Sequence, residues 1–435
     1  MKRLLSKSKS KFLYWFLASH LVAYLSLLII PAHAITRNAS DLFLLNTVFI
    51  ILVTVFFIIT SKLFRINTRV NKLKNITAKQ LVFNIKFVSI CSISGFILMF
   101  YDRVFIRGIN YSLGLRQARY QWLDSTGGSL YSVIGNLLIP FGYIALFLLV
   151  FHGNNMRRKD KAILIISSAI SVFGHAALNG GRSNILIAVV FMVIISVIKN
   201  IFIGKPPKRK HYSFRKILIL LLVMGYIFNI TLSSAEMGRV SIQKLTELGI
   251  ESVYGIPNES FYDMNGGNSI LFLIIYSLVY LFHGQWTAEV TFSLPIRNGN
   301  YTFYTFIVIL RSLGFPISNI EQGYFAKTGA FISLPGAFYY DFGYIGVVLL
   351  SIILGVLFAV AVLILHKSRV VSPSKLGFVI YVLFVVFLSP VLPGYGFMYL
   401  NFILAAFISI DILNRLIFRE KVSFLTRNHI KMELE

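Results

Sequence analysis

Long unbroken apolar runs alternate along this chain with short polar segments, a pattern that fits neither half-buried strands nor the one-sided stripe of a helix packed in a water-soluble domain. Ten runs are read as membrane-crossing helices: Phe12 to Ile30, Leu42 to Thr60, Leu81 to Phe100, Leu130 to Phe151, Ala162 to Asn179, Asn184 to Ile203, Ile217 to Ala235, Tyr340 to Leu365, Leu376 to Val391 and Met398 to Phe418. Most approach the ~20 residues that a helix needs to cross a hydrocarbon layer of about 30 Å. The expected fold class is an all-α polytopic membrane protein of ten transmembrane helices, with a large outward segment between the seventh and the eighth. The chain then divides into 1–235 (helices one to seven), 236–339 (the outward segment) and 340–435 (helices eight to ten and a tail).

Composition agrees with this picture, at 57% hydrophobic residues, 15% aromatic and a mean hydropathy of +0.76. The formal net charge of +26 would suggest nucleic-acid binding in a soluble protein, but its distribution argues otherwise. With the N-terminus on the cytoplasmic side, the cytoplasmic segments hold 30 Lys/Arg against 4 Asp/Glu, and the outward segments hold 11 against 11. The whole excess follows the positive-inside rule, so no nucleic-acid partner is expected and both termini are read as cytoplasmic. The single cysteine, Cys91, lies in an apolar run and offers neither a disulfide nor a thiolate cluster within one chain. Ala32-His33-Ala34 has the small-x-small form of a signal-peptidase site, but the apolar run before it exceeds the usual ~7 to 15 residues, so the first helix is read as uncleaved.

The outward segment contains two shorter apolar stretches, Ile270 to His283 and Tyr301 to Phe315. They read as interfacial or re-entrant helices, since the residues between them lack the Lys/Arg cluster of the cytoplasmic loops; twelve crossings is the alternative.

Candidate chemistry also lies on the outward side. The loop 101–129 carries Arg103, Arg107, Arg116 and Arg119 with only Asp102 and Asp124. Guanidinium groups grip phosphate and carboxylate bidentately, so an anionic-ligand site competes here with arginines solvated by lipid headgroups. The turn Gly180-Gly181-Arg182-Ser183 breaks the chain where helix five surfaces and places Arg182 and Ser183 at the start of helix six, whose free amides favour anions. A tight turn with a snorkelling arginine is the plain alternative. His175, below that turn, is a functional candidate or a neutral histidine bonded to a neighbouring helix. Asp411 and Arg415, four apart on the last helix, read as a structural pair, and Lys86 as a snorkelling lysine.

The Gly180–Ser183 turn, the Arg107-Gly108-Ile109-Asn110-Tyr111 stretch followed by Arg116 and Arg119, and the Tyr340-Asp341-Phe342-Gly343-Tyr344-Ile345-Gly346 run together resemble the bacterial O-antigen (Wzy-type) polymerases, the oligosaccharide repeat-unit polymerases. The resemblance covers most of the chain and rests on the order of short motifs. It implies an enzyme of the bacterial inner membrane that moves a growing glycan from undecaprenyl pyrophosphate onto the next lipid-linked repeat unit at the periplasmic face. The bilayer and the lipid-linked oligosaccharide are then its partners, and a chain-length regulator protein is a further candidate partner. The family's Arg-x10-Gly spacing is met by Arg103 with Gly114 and Arg116 with Gly127, and the large outward segment does not repeat it.

Displacing pyrophosphate from an anomeric carbon needs positive charge at the leaving group and a base at the acceptor hydroxyl. The chain has no Asp-x-Asp pair, so the expectation is a metal-independent transfer without a cofactor, in which Arg107, Arg116, Arg119, Arg182 and Arg311, with Ser183, bind the pyrophosphate. On a helix from Ile270, residues Phe272, Tyr276, Tyr280 and His283 form one stripe ending at Gly284. Tyr276 and Tyr280 suit a sugar face, His283 is the first candidate base with Glu289 orienting it, and Asp341 the second, with helix capping as its plain alternative. An aromatic interfacial belt is the alternative for the stripe. A lipid-oligosaccharide flippase or other transporter, a non-catalytic assembly partner and an O-antigen ligase are the rival functions.

The charge partition generates the first test. Reporter fusions at Lys72, Arg158, Lys208 and Lys375 are expected to report cytoplasm, and fusions at Ser112, Ser260 and Lys327 the opposite side; a cytoplasmic signal from Ser112 or Ser260 overturns the topology.

Overall fold

The computed structural model describes residues 2–64, 72–73, 77–124, 129–153, 156–179, 183–203, 240–304, 306–307, 310, 315–316, 331–367, 370–396 and 398–418. It is an all-α polytopic membrane protein. The helices are α1 (Lys2–Ile29), α2 (Ala39–Leu63), α3 (Ala78–Tyr101), α4 (Leu115–Asp124), α5 (Leu130–Leu138), α6 (Phe141–His152), α7 (Arg158–Ala169), α8 (His175–Asn179), α9 (Ser183–Ile203), α10 (Ile242–Glu251), α11 (Glu259–Met264), α12 (Ser269–Phe282), α13 (Gly284–Val290), α14 (Leu334–Lys367), α15 (Pro373–Phe387) and α16 (Met398–Ile417).

Among the described residues eight helical spans are long and apolar enough to cross a membrane: Lys11–Ile29, Ala39–Leu63, Ala78–Ile106, Leu130–His152, Arg158–Asn179, Ser183–Phe202, Leu334–His366 and Tyr399–Ile417. Each coincides with a run found from hydropathy. The seventh predicted span, Ile217 to Ala235, lies outside the described residues. The ninth is displaced: α15, Pro373–Phe387, begins before the predicted Leu376 and ends before Leu388, short of the predicted Val391. Pro390 has no amide to donate and disfavours helical geometry at Ser389, so apolar composition alone runs past the end of this helix.

The predicted helix from Ile270 is present as α12, and it continues into α13 after a bend of 51° at His283–Gly284. Such a bent pair is a broken span or a re-entrant loop, and α13 is buried along its whole length. Most of Tyr301 to Phe315 lies outside the described residues. The eighth helix starts at Leu334, earlier than the hydropathy boundary at Tyr340, and kinks at Gly343 (φ 63°, ψ −161°), backbone angles that only glycine adopts readily.

The centre of the bundle is α6, where every residue from Phe141 to Val150 is buried. A helix that is apolar all round is one surrounded by other helices. The helices outside it keep one lipid-compatible face, as α1 does with Leu21, Leu25 and Leu28 exposed. α2 and α14 pack together, with the Phe57 and Phe358 rings 4.5 Å apart, and Phe16 of α1 joins them against Phe49 and Phe358. Two short strand pairs tie the connections: β1 (Ala32–Ala34) runs antiparallel to β3 (Gly255–Pro257), and β2 (Lys72–Leu73) parallel to β4 (Val370–Val371). The Ala32-His33-Ala34 segment is therefore held in a strand pair, with Ala34 buried. Asp411 and Arg415 form the expected pair at 2.7 Å, and Lys86 is exposed.

Two breaks meet inside this bundle. The Gly284 carbonyl accepts from the Ser333 amide at 2.7 Å, and the Ser389 carbonyl accepts from the Leu334 amide at 2.7 Å. Gln285 Nε2 donates to the Pro390 carbonyl at 2.6 Å, and its Oε1 accepts from Asn46 Nδ2 at 2.9 Å. Ser389 Oγ donates to the Val386 carbonyl, so His20, 2.9 Å away, donates its Nε2 proton to Ser389 Oγ. The chains cross so closely that a Cβ on Gly284 would lie 2.1 Å from the Val391 oxygen. Gly284→Ala should cost at least about 1–3 kcal/mol through overpacking, seen as a lower midpoint of thermal unfolding in detergent. Gly153→Ala, with nothing within 4 Å of the added Cβ, should leave the midpoint in place; equal midpoints for both would show that the crossing tolerates a side chain.

Candidate functional site

The end of the bundle away from the basic loops gathers the arginine-bearing loop that follows α3 and the ends of four helices. α3 runs regularly to Tyr101 and then widens into a π-helical turn, Asp102–Ile106; α7 widens likewise at Ile170–Gly174 before α8. A π turn carries one residue more per hydrogen-bonded ring than an α turn, so it rotates the side chains that follow, and such turns occur frequently at functional sites. Here the first turn buries Asp102 and Arg103 while Tyr101 and Phe105 stay exposed, and the second sets His175 inward at 1% exposure.

Asp102 is fully buried and collects the local cations. Its carboxylate accepts from Arg107 Nε at 2.9 Å and from the Ser129 hydroxyl, and Arg103 Nη1 stands 4.0 Å away. Arg103, 2% exposed, donates from Nη2 to Asn179 Oδ1 at 3.4 Å, and its guanidinium lies 4.3 Å over the Trp122 ring of α4. Its Nε and Nη1 are buried without a hydrogen-bond partner. An unpaired donor of a buried cation is costly, so this edge is the one place in the cluster that asks for an anion.

The cluster continues into His175. Its Nε2 lies 2.6 Å from Asn179 Nδ2 and 3.0 Å from the Tyr399 hydroxyl, and its Nδ1 lies 2.7 Å from the Asn184 carboxamide. With the Asn179 oxygen committed to Arg103, its nitrogen donates to Nε2. Asn184 Nδ2 is the atom that faces Nδ1, so both ring nitrogens are covered by amide groups. Tyr399 stacks on the imidazole at 4.4 Å, and the Tyr111 hydroxyl donates to the Leu178 carbonyl at 2.8 Å. Burial raises the pKa of the Tyr111 hydroxyl above its usual value, with the Arg103 charge acting against that; the hydroxyl stays a donor.

Of the arginines singled out in the sequence, Arg107 is in this cluster, paired with Asp102. Arg119 is half-buried on α4, which also carries Arg116 in its first turn; the Arg116 side chain lies outside the described residues. Arg182 and Arg311 lie outside them too, and Ser183 is the half-buried first residue of α9.

The candidate bases occupy a different setting, and each holds a piece of backbone. His283 is 3% exposed; its Nε2 accepts from the Phe331 amide at 2.9 Å, so Nδ1 carries the proton and donates to the Val279 carbonyl at 3.1 Å. The Phe331 ring stacks on it at 5.1 Å, with Tyr280 at 6.2 Å. Tyr276 and Tyr280 are half-buried on α12, while Phe272, at the other end of the stripe, is fully buried against Tyr262. Glu289, 4% exposed, accepts from the Thr36 hydroxyl at 3.4 Å. Asp341 sits inside α14 and not at its start, so it does not cap that helix; it accepts the amides of Tyr301 at 3.0 Å and Thr302 at 2.5 Å.

Asp102, Trp122, Asn179, Asn184 and Tyr399 were not singled out by sequence reasoning, and Arg103 was noted only as one loop arginine among four. A usable signal existed for some of them. Asp102 and Arg103 stand side by side at the end of an apolar run, and His175 and Asn179 are one helical turn apart. Nothing local marks Tyr399, which meets His175 across 224 residues. Comparison with protein-family models, with curated proteins and with solved structures finds no match to this chain.

Asp102→Asn removes the one carboxylate between two guanidiniums and should destabilise the protein by roughly 3–5 kcal/mol, the cost of leaving buried charge uncompensated. Thermal unfolding in detergent reads this directly; a midpoint equal to wild type would mean that solvent, and not Asp102, balances the arginines.

Proposed function

We propose that the protein is a membrane glycosyltransferase that polymerises surface polysaccharide, moving a glycan from undecaprenyl pyrophosphate onto the next lipid-linked repeat unit at the outer face of a bacterial inner membrane, with both chain termini in the cytoplasm. The observation that carries the reading is the buried Arg103 guanidinium, whose Nε and Nη1 make no hydrogen bond within the protein, at the helix ends opposite the basic loops. The motif resemblance to O-antigen polymerases and the Arg-rich loop point the same way.

In this reading Arg103 and Arg107, with Arg116, Arg119, Arg182 and Arg311 as the sequence candidates, hold the pyrophosphate. The acceptor hydroxyl oxygen attacks the anomeric carbon, and the bond from that carbon to the pyrophosphate oxygen breaks. The electron pair leaves on the pyrophosphate, where guanidinium charge stabilises it. The hydroxyl proton passes to a base. His283 takes that role by exchanging the Phe331 amide at Nε2 for the hydroxyl, with the Val279 carbonyl, and not the expected Glu289, holding its Nδ1 proton; Asp341 is the second candidate. Catalysis by His283 therefore requires the 331 segment to move.

The test uses the purified protein in vesicles with lipid-linked repeat units. Arg103→Lys keeps the charge but not the fork, so it should lose polymer formation nearly as fully as Arg103→Ala, on the order of 10²-fold. A folded Arg103→Lys protein that polymerises at the wild-type rate removes Arg103 from the site. No polymer from the wild-type protein, together with a host deletion that abolishes surface glycan where single-repeat glycan is expected, would favour the flippase or ligase reading.

A further inference from the structure

We infer that the ring surface on the lipid side of the Asp102–Ile106 turn is a docking track for the polyisoprenyl chain of the anionic lipid whose head Arg103 takes; this rests on the proposed function and names where its lipid lies. The track is built from contacting rings. Phe96 and Phe100 of α3 are stacked at 6.3 Å, Phe100 meets Phe105 at 6.4 Å, Tyr101 stacks on Phe105 at 5.5 Å, and Tyr101 meets Tyr131 of α5 at 5.2 Å. Phe100, Tyr101, Phe105 and Tyr131 are 42%, 44%, 67% and 44% exposed.

Two features separate this face from an ordinary lipid-facing one. The stretch of α1 from Leu21 to Ile29 exposes aliphatic side chains, Leu21, Val22, Leu25, Leu28 and Ile29; here rings touch edge to edge and face to face over more than two turns. Such a surface is stiff, so a chain lying on it is ordered at little side-chain entropy cost, and flat rings accept the methyl branches and double bonds of an isoprenoid. The second feature is continuity with charge. Tyr101 and Phe105 flank Asp102 and Arg103 in the same π-helical turn, which turns the rings outward and the guanidinium inward. An amphiphile with a phosphate head and a long hydrocarbon chain fits that division, head to Arg103 and chain along the rings, reaching the site sideways from the bilayer. Arg107, half a turn beyond Phe105 and paired with Asp102, stands between the two.

Photo-crosslinking of the full-length protein tests this without turnover. The variant Phe105→p-benzoylphenylalanine is placed in vesicles of phosphatidylethanolamine and phosphatidylglycerol that contain a small fraction of undecaprenyl pyrophosphate. Leu28→p-benzoylphenylalanine, at a site 82% exposed on α1, serves as the control. The polyprenyl adduct at Phe105 should exceed that at Leu28 by about tenfold, the preference that a few ring contacts supply. Equal polyprenyl adducts at the two positions, or adducts with phosphatidylglycerol at Phe105 in proportion to its abundance, overturn the track. Preferential capture by a protein that forms no polymer leaves the track and removes the polymerase reading; polymer formation without preferential capture does the reverse.

Discussion

Inside a hydrocarbon layer every backbone amide and carbonyl must find a partner within the protein, and this chain interrupts its helices at several points within its apolar spans. Each interruption frees backbone groups, and a particular polar side chain or a second interruption meets them. The Gly284 and Ser389 carbonyls are satisfied by the amides of Ser333 and Leu334, the Pro390 carbonyl by Gln285, and the Phe331 amide by His283. Ser92 reaches from α3 to the Ser167 carbonyl just before the second π turn, at 2.8 Å. The positions of α12 to α15 follow from these bonds more than from apolar packing, because packing against lipid-like surfaces gives little direction.

That constraint explains which parts of the structure were legible in the sequence. Spans of uniform apolar character announce themselves, as does a pair such as Asp411 and Arg415, whose spacing lies within one helix turn. A break is legible in part: His283-Gly284-Gln285 and Ser389-Pro390 interrupt their apolar runs, but nothing local says which groups will meet the freed backbone. The polar residues that serve the breaks look, by type alone, like chemistry. Asp341 read as a candidate base or a cap, yet its partners, Tyr301 and Thr302, lie 40 and 39 residues away, and no local pattern encodes them. The stripe from Phe272 to His283 was read correctly as a helix face, but a helix face states only direction, not what covers it.

Arg103 stands out against this background as a buried guanidinium with two nitrogens that make no hydrogen bond. It meets Asp102 in its own turn, Asn179 of α8 and Trp122 of α4, so its position is the joint product of three pieces of chain. Asp102 neutralises Arg107 at close range and Arg103 only at 4.0 Å, which leaves the more deeply buried guanidinium the less compensated. The neutral His175 then fixes Asn179, and Asn179 one edge of Arg103. The cluster is thus held by uncharged amides and rings around a guanidinium that Asp102 compensates only in part.

The bond between His20 and Ser389 spans 369 residues, and β1 pairs with β3, which lies beyond nine helices of the described residues. α2 follows α1 closely along the chain, so Phe16 and His20 can meet Phe49, and Tyr24 can meet Phe43, long before Ser389 has been made. The α1–α2 pair can therefore form early, and the His20–Ser389 bond joins it to the rest of the bundle only once α15 and the residues after it have been made. A chain stalled before Ser389 lacks both the partner of His20 and the last helix, α16.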